Sequence, residues 1–224
     1  MRDYLYAIVE RLPRAWQAPR AGVAGAPVVV RRLSGLDVVC SPLDDVPGAG
    51  PKTLALHHDV VESLMDADAV LPVRYGLALP RGDLETWLTV QRRPLHAALA
   101  QVRGCVEMSV KLLALDRQVG RASPVEPELK ALSERLADRA GVEQWRYRPS
   151  GTAGAGAASV AFLVPRGEVP ALLARIAPIA SRAVGVAVVP TGPWPAYSFA
   201  PVLDRLPLAY AVPTPAAVRG RHVG

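Results

Sequence analysis

The sequence predicts an α+β fold in two domains: an N-terminal mixed α/β-meander domain and a C-terminal ferredoxin-like (βαββαβ) domain. Its 224 residues suit two domains of roughly 100 residues each. From Cys105 onward, the hydrophobic periodicities follow the order β-α-β-β-α-β, which is the ferredoxin-like pattern. The first 104 residues follow a different order, β-β-β-α-β-α. We therefore expect domains at residues 1–104 and 105–224, the second ending in a proline-rich segment.

In the N-terminal part, changes in the spacing of apolar residues predict where strands and helices lie. Ser34-Gly35 separates two short apolar runs and is typical of a hairpin turn. Spacings of three and four residues after Lys52 predict a helix, and Asp83 is expected to cap a second helix that Pro94 kinks or restarts. The expected strands are 3–9, 28–33 and 36–40, the helices are 52–68 and 83–104, and an extended segment at 70–79 separates the helices.

The C-terminal elements are clearest at residues 105–115, where apolar and polar side chains alternate as in a half-buried strand. One face carries Val106, Met108, Val110 and Leu112, and the other carries Glu107, Ser109 and Lys111. Further strands are expected at 142–147, 159–164 and 184–189, and helices at 126–140 and 169–182. Glycines between residues 151 and 156 predict a hairpin turn.

The positive charge of the chain is concentrated near its C-terminus. Lys and Arg number 26 against 20 Asp and Glu, a net charge of +6. Basic and acidic residues balance over 1–145, so the whole excess lies in residues 146–224. Such asymmetry suits nucleic acid, an anionic membrane or an acidic protein. Because these arginines are spread over strands, helix and terminus, we interpret them as a solubilising surface, with steering of an acidic partner protein as a further role.

Residues 183–203 contain no charge and are long enough to span a bilayer. Prolines at 190, 193, 195 and 201 would break such a helix repeatedly, so we expect a strand and an extended segment there. The N-terminus shows no secretory signal, and a cytoplasmic protein is expected.

No catalytic or metal-binding pattern is present in the sequence. His57 and His58 are adjacent and would point about 100° apart on a helix, which favours surface or boundary positions over shared metal ligation. Cys40 and Cys105 lack the neighbours of a zinc site, and Cys105 has no local base, so a buried strand cysteine is expected. We therefore expect no enzymatic activity, no cofactor and no metal.

Nucleic-acid binding is also disfavoured, although ferredoxin-like sheets do bind RNA. That mode needs stacking aromatics on the central strands, and Phe162 alone occurs there. The glycines at 151–156 lack the Lys-Ser/Thr of a phosphate loop. Two alternatives remain open: a ferredoxin-like ligand-binding or enzymatic domain, and a basic nucleic-acid-binding module.

Four ordered segments carry a family resemblance. They are Tyr-Leu-Tyr-Ala-Ile-Val at 4–9, Leu-Pro-Val-Arg-Tyr-Gly at 71–76, Gly-Cys-Val-Glu-Met-Ser-Val-Lys-Leu at 104–112 and Thr-Gly-Pro-Trp-Pro-Ala-Tyr-Ser-Phe at 191–199. Together they resemble the gas vesicle protein F/L family (GvpF/GvpL), the last segment most specifically. The resemblance extends over nearly the whole chain. The ten or so residues of 116–125 stand where family members usually carry a longer helical insertion.

The resemblance implies a non-enzymatic accessory protein of gas vesicle assembly. Its implied partners are the small hydrophobic shell protein and other gas vesicle accessory proteins, with no nucleic acid and no lipid membrane. It implies no cofactor, and a location in the cytoplasm at the gas vesicle.

Five residues in these segments are candidate partner or interdomain contacts: Arg74, Tyr75, Trp194, Tyr197 and Phe199. Prolines hold the last three on an extended backbone, where they would form either a partner surface or an interdomain staple. We favour the staple, because uncharged aromatic segments are usually buried. For Arg74 and Tyr75 we favour a structural role, in which Arg74 pairs with a carboxylate across the domain interface, over direct partner contact.

Overall fold

The protein folds around two antiparallel sheets that are packed with four helices. The computed structural model describes residues 1–115, 125–150 and 156–201. The strands are β1 (Arg2–Glu10), β2 (Val29–Leu33), β3 (Leu36–Leu43), β4 (Ala69–Pro72), β5 (Ala78–Pro80), β6 (Cys105–Ala114), β7 (Trp145–Ser150), β8 (Ala157–Pro165) and β9 (Val186–Trp194). The helices are α1 (Pro51–Glu62), α2 (Leu84–Val102), α3 (Val125–Ala140) and α4 (Val169–Ala180). This is the predicted α+β class.

The N-terminal sheet is built around β1. Its strand order is β2-β3-β1-β4, and β5 also pairs with β1. Residues 3 to 9 of β1 are all buried, since helices α1 and α2 lie on opposite faces of the sheet. The hairpin predicted at Ser34-Gly35 joins β2 to β3, with φ of 49° and 79° at the two turn residues. Positive φ at both positions is the geometry of a two-residue hairpin turn.

The C-terminal sheet confirms the ferredoxin-like prediction. Its element order is β6-α3-β7-β8-α4-β9 and its strand order is β7-β8-β6-β9, antiparallel throughout. The face of β6 that carries Met108, Val110 and Leu112 packs with α3 and α4 in one apolar core. We call this the helix face, and we call the opposite face, which carries Glu107, Ser109 and Lys111, the outer face.

Two expected elements differ from the structure. The extended segment at 70–79 is split into β4 and β5, because the chain turns between them with a φ of 101° at Gly76. The last strand continues to Trp194 although it contains Pro190 and Pro193. It can do so because β9 is an edge strand, where a missing N–H need not break the sheet.

Helix α2 runs through Pro94 as one helix, so it does not restart there, which was one of the two expected outcomes. Proline cannot donate to the carbonyl one turn earlier, which belongs to Val90. Both residues are exposed, so water can hydrate that carbonyl. The turn predicted at 151–156 and the linker at 116–125 lie almost wholly outside the described residues, as do residues 202–224.

The two sheets share a core across the expected boundary at Gly104. Ala161 and Leu163 of β8 lie in one buried cluster with the helix α2 and one face of the N-terminal sheet. Backbone hydrogen bonds also cross there, from Gly104 N to Asp68 O at 2.7 Å and from Arg166 N to Gly104 O at 2.9 Å. The division at residue 104 stays a prediction, and the two units are held as one packed body.

A bulge in β9 brings the chain close to β6. The pairing register shifts between Glu107 and Ser109, and Gly192 lies at the shift with a φ of 118°. A Cβ atom on Gly192 would lie 2.9 Å from the carbonyl oxygen of Glu107 and 3.1 Å from the sulfur of Met108. Only glycine fits this position without strain.

We expect Gly192→Ala to lower the free energy of unfolding by at least about 2 kcal/mol, because it adds both a steric clash and a strained φ. Gly167→Ala is the matched control, since a Cβ there meets nothing within 4 Å. Urea denaturation of both variants would test this. Equal stability of the two variants would contradict the tight approach at Gly192.

Candidate functional site

The candidate residues near the C-terminus lie between the two sheets. We call residues 194–200 the interdomain segment. Trp194 ends β9 on the outer face, opposite Glu107, and the chain then turns across the N-terminal unit. The hydrogen bond from Trp194 Nε1 to Thr191 Oγ1, at 3.3 Å, fixes the indole at this corner.

Aromatic contacts tie the interdomain segment to helix α1. The ring of His58 lies 5.7 Å from that of Trp194 and 6.5 Å from that of Tyr197, centroid to centroid. Tyr197 packs against the core formed by β1, β3 and α1, and burial raises the pKa of its hydroxyl. Both residues therefore contact the N-terminal unit.

Phe199 completes the contact on the other side of the N-terminal sheet. Its side chain is buried in the cluster that holds α2, Ala161 and Leu163. The guanidinium of Arg146 lies 5.4 Å from the centre of its ring, within cation–π range. The interdomain segment thus contributes to the cores on both faces of the N-terminal sheet, with Tyr197 on one face and Phe199 on the other.

A buried carboxylate holds the interdomain segment in place. Ser198 donates from its backbone N–H and from its hydroxyl to the two oxygens of Glu107, each at 2.7 Å. Glu107 is only 7% exposed. Burial raises the pKa of this carboxyl, while the two hydrogen bonds from Ser198 and the charge of Arg148 act in the opposite direction. Hydrogen bonds to an ionised acceptor are stronger than neutral ones, so this pair is a strong anchor.

The other two candidates lie in the turn between β4 and β5. Tyr75 donates from its hydroxyl to the carbonyl of Pro47 at 2.7 Å, and its ring packs edge-on against Tyr4 and His57. Arg74 is exposed and forms no ion pair within the described residues. Tyr75 therefore has structural contacts inside the N-terminal unit, whereas Arg74 points to solvent.

His57 is buried, against the expectation of a helix-surface or boundary position. Its Nε2–H donates to the carbonyl of Val73 at 2.8 Å, so its Nδ1 must accept from the hydroxyl of Tyr4, at 2.7 Å. Rings of Tyr6 and Tyr75 complete the cluster. Burial lowers the pKa of His57 to about 4, so the ring is neutral at physiological pH. His58, the next residue, stays partly exposed.

Sequence reasoning missed Glu107 and His57 as structural determinants. Alternation placed Glu107 on a polar strand face, and nothing nearby showed that Ser198 would cover it. The tyrosines of β1 were the available signal for His57, since a polar side chain near a tyrosine-rich buried strand can find a hydroxyl partner.

The described residues contain no cluster of three or more His, Cys, Asp or Glu side chains that could hold a metal ion. Within them, no helix is long and apolar enough to cross a bilayer. Cys40 is buried, but Cys105 is only half-buried, where a buried strand position was expected, because it is the first residue of β6; both are free thiols. Burial raises the pKa of Cys40 to about 12 and also raises that of Cys105, which keeps both in the unreactive thiol form.

Comparison with known proteins identifies the family. The family model for the gas vesicle synthesis protein GvpL/GvpF matches residues 3–153 and 139–201, nearly the entire described chain. The chain belongs to the GvpL/GvpF family. A comparison with curated proteins finds no match.

Solved GvpF structures share the fold of this GvpL/GvpF protein. The crystal structure of gas vesicle protein GvpF from Microcystis aeruginosa superimposes with a TM-score of 0.72 at 18% identity, covering 89% of this chain and 99% of that one. GvpF from Anabaena sp. PCC7120 gives the same TM-score and identity, covering 89% of this chain and 96% of that one. The predicted two-domain α+β fold and the resemblance to the family are thereby confirmed.

We expect Glu107→Ala to loosen the interdomain segment, because it leaves the half-buried Ser198 N–H without its acceptor, at a cost of about 1 kcal/mol. Glu107→Gln is the matched control, since its amide can accept from the N–H and donate to the Ser198 hydroxyl. Hydrogen exchange of a peptide spanning residues 194–200 should be faster in Glu107→Ala and near wild type in Glu107→Gln. Unchanged exchange in Glu107→Ala would contradict the anchor.

We expect the fold to lose stability as the pH falls from 7.5 to 5. The pKa of His57 is about 4 in the folded chain against 6.5 for a free side chain, so the unfolded chain binds the extra proton in this range. The loss is about 2 kcal/mol by pH 5, and it levels off as the pH falls through 4. Denaturant titrations at both pH values would measure it. His57→Gln should remove the pH-dependent loss of stability that comes from His57. The matched control, His96→Gln at an exposed site on α2, should retain that loss. The same pH dependence in both variants would exclude His57 as the source.

Proposed function

We propose that this protein is a non-enzymatic accessory factor of gas vesicle assembly, which binds the small hydrophobic shell protein, other gas vesicle proteins, or both. The observation that carries the proposal is the match to the gas vesicle synthesis family from residue 3 to residue 201. We place its action in the cytoplasm, at the growing vesicle.

The placement of the aromatic candidates supports this role and refines it. Trp194, Tyr197 and Phe199 contact the N-terminal unit, so they are available to a partner only at their exposed edges. We therefore propose that these three residues keep the two units in a fixed arrangement, while Tyr75 holds the turn between β4 and β5 within the N-terminal unit. Partner contacts then fall on other surfaces, with Arg74 a candidate because it is exposed.

The buried ionisable groups support a non-enzymatic role. His57 is held between Tyr4 and Val73, and Glu107 has both oxygens engaged by Ser198. Asp3, also buried, is paired with Arg31. General acid–base catalysis needs such a group to face a substrate, and each of these three faces a structural partner instead.

An assembly factor of this kind has a clear physical task. A gas vesicle wall presents apolar surface to the gas, so its subunits expose that surface before they assemble and tend to aggregate. An accessory protein that holds them needs a docking surface of its own and little tendency to pair with itself. The edge strand β9, with Pro190 and Pro193, fits the second requirement because proline discourages edge-to-edge strand pairing.

Co-purification tests the proposal directly. We expect the tagged protein, expressed together with a complete set of gas vesicle proteins, to retain the shell protein or another gas vesicle protein, and a tag-only control to retain none. Deletion of the gene should reduce vesicle formation. Absence of any gas vesicle protein in the purified sample, together with normal vesicles in the deletion strain, would overturn the proposal.

A further inference from the structure

The outer face of the C-terminal sheet is only half covered. At one end, Glu107, Ala161 and Leu163 lie beneath the N-terminal unit and the interdomain segment. Beyond them, Leu113 is 42% exposed and Val189 is 41% exposed, although both belong to strands. The helix face of the same sheet is covered by α3 and α4. The open half of the outer face is therefore an unpartnered sheet surface among the described residues.

The strand register shows how side chains are arranged on this open half. One row crosses all four strands as Arg148, Ser159, Lys111 and Val189. The row at the border with the covered half is Arg146, Ala161, Ser109 and Thr191, and the row on the other side contains Ala157, Leu113 and Ala187. Rows are about 7 Å apart along the strands, and strands are about 4.8 Å apart.

The charge of the open half has a single sign. Arg146, Arg148 and Lys111 are exposed, and no Asp or Glu occurs in the three rows that cross it. The nearest carboxylate of the face, Glu107, lies one row beyond and is occupied by Ser198. Arg146 is also held in place by its contact with Phe199. The fold thus brings Lys111 of β6 to the same face as the neighbouring Arg146 and Arg148 of β7.

The centre of the open half is a shallow trough. Along β8, Ala157 and Ser159 form a floor of small side chains, which ends at the covered Ala161. Arginines of β7 line one side of the trough, and Lys111 and Leu113 of β6 line the other. Four strands are about 14 Å wide, which accommodates one α-helix of 10–12 Å diameter. Small floor residues allow a helix to approach the sheet closely, while the flanking cations require acidic partners.

Single-stranded RNA fits this face poorly. Its recognition on such sheets depends on aromatic rings at the two central strands, here β6 and β8. The central positions in the open half are Ser109, Lys111, Leu113, Ala157 and Ser159, none of which can stack on a base. The combination of cations, exposed leucine and valine, and small side chains suits an amphipathic polypeptide instead.

We propose that the open half of the outer face binds an acidic amphipathic helix of another gas vesicle protein. The carboxylates of that helix pair with Lys111, Arg146 and Arg148, and its apolar side chains cover Leu113 and Val189. The inference rests on the proposed function, because it takes the partner to be a component of the gas vesicle.

Charge reversal tests the inference. We expect the triple variant Lys111→Glu, Arg146→Glu, Arg148→Glu to bind the co-purifying gas vesicle protein roughly tenfold more weakly, since each pair contributes modestly and reversal adds repulsion. The matched control is Arg135→Glu, Arg139→Glu, Arg182→Glu, which makes the same change in net charge at exposed sites away from the outer face. If the triple variant does not fold, Lys111→Glu alone should weaken binding roughly threefold.

Wild-type levels of binding in the reversed variants, or an equal loss in the control, would overturn the inference and leave the proposed function standing. A wild-type protein that captures no gas vesicle protein would instead remove the proposed function and the inference together. The two failures are therefore distinguishable in one set of binding measurements.

Photo-crosslinking identifies the occupant. A photoreactive phenylalanine analogue in place of Ser159, on the floor of the trough, should crosslink to a segment rich in Asp and Glu with an apolar stripe at helical spacing. The same analogue in place of Arg135 should not. A crosslink to nucleic acid, to residues 202–224 of this chain, or to a segment without acidic residues would overturn the inference.

Discussion

The arrangement of the two units depends on one buried carboxylate. Glu107 lies at the joint between the sheets, and its two oxygens hold the backbone and the hydroxyl of Ser198. Ser198 in turn positions Tyr197 and Phe199 on opposite faces of the N-terminal sheet. An ionised group in such a place is costly to bury, and it is tolerated because both oxygens are satisfied. The carboxylate therefore acts as the fixed point that orients the C-terminal sheet against the N-terminal one.

The parts of the fold that depend on local pattern were predictable. Alternation at residues 105–115 gave the correct faces of β6, and Ser34-Gly35 gave the hairpin, because both signals are contained within a few residues. The extension of β9 to Trp194 was not predictable, since its prolines argue for coil until the strand is known to lie at a sheet edge. The burial of Glu107 depends on a residue 91 positions away, which no local pattern reveals.

The same limit applies to charge. In the sequence, Lys111 lies in the charge-balanced part of the chain, and Arg146 and Arg148 belong to a dispersed set that suggests general solubility. The antiparallel order β7-β8-β6 brings these three cations to one face of the sheet. Their positive charges then act together on that face. The opposite face of the sheet shows what such a surface can hold, since two amphipathic helices pack there through apolar side chains alone. The two faces differ in charge, and the difference sets which kind of helix each one accepts.

The position of the interdomain segment at the far end of the chain has a consequence for synthesis. Residues 1–104 leave the ribosome early, yet the cores on both faces of their sheet remain open until Tyr197 and Phe199 are added. At typical translation rates that delay lasts on the order of ten seconds. During this interval the nascent chain exposes tyrosine, leucine and valine side chains that are buried in the finished fold. Synthesis of the interdomain segment thus separates an aggregation-prone nascent chain from a finished protein.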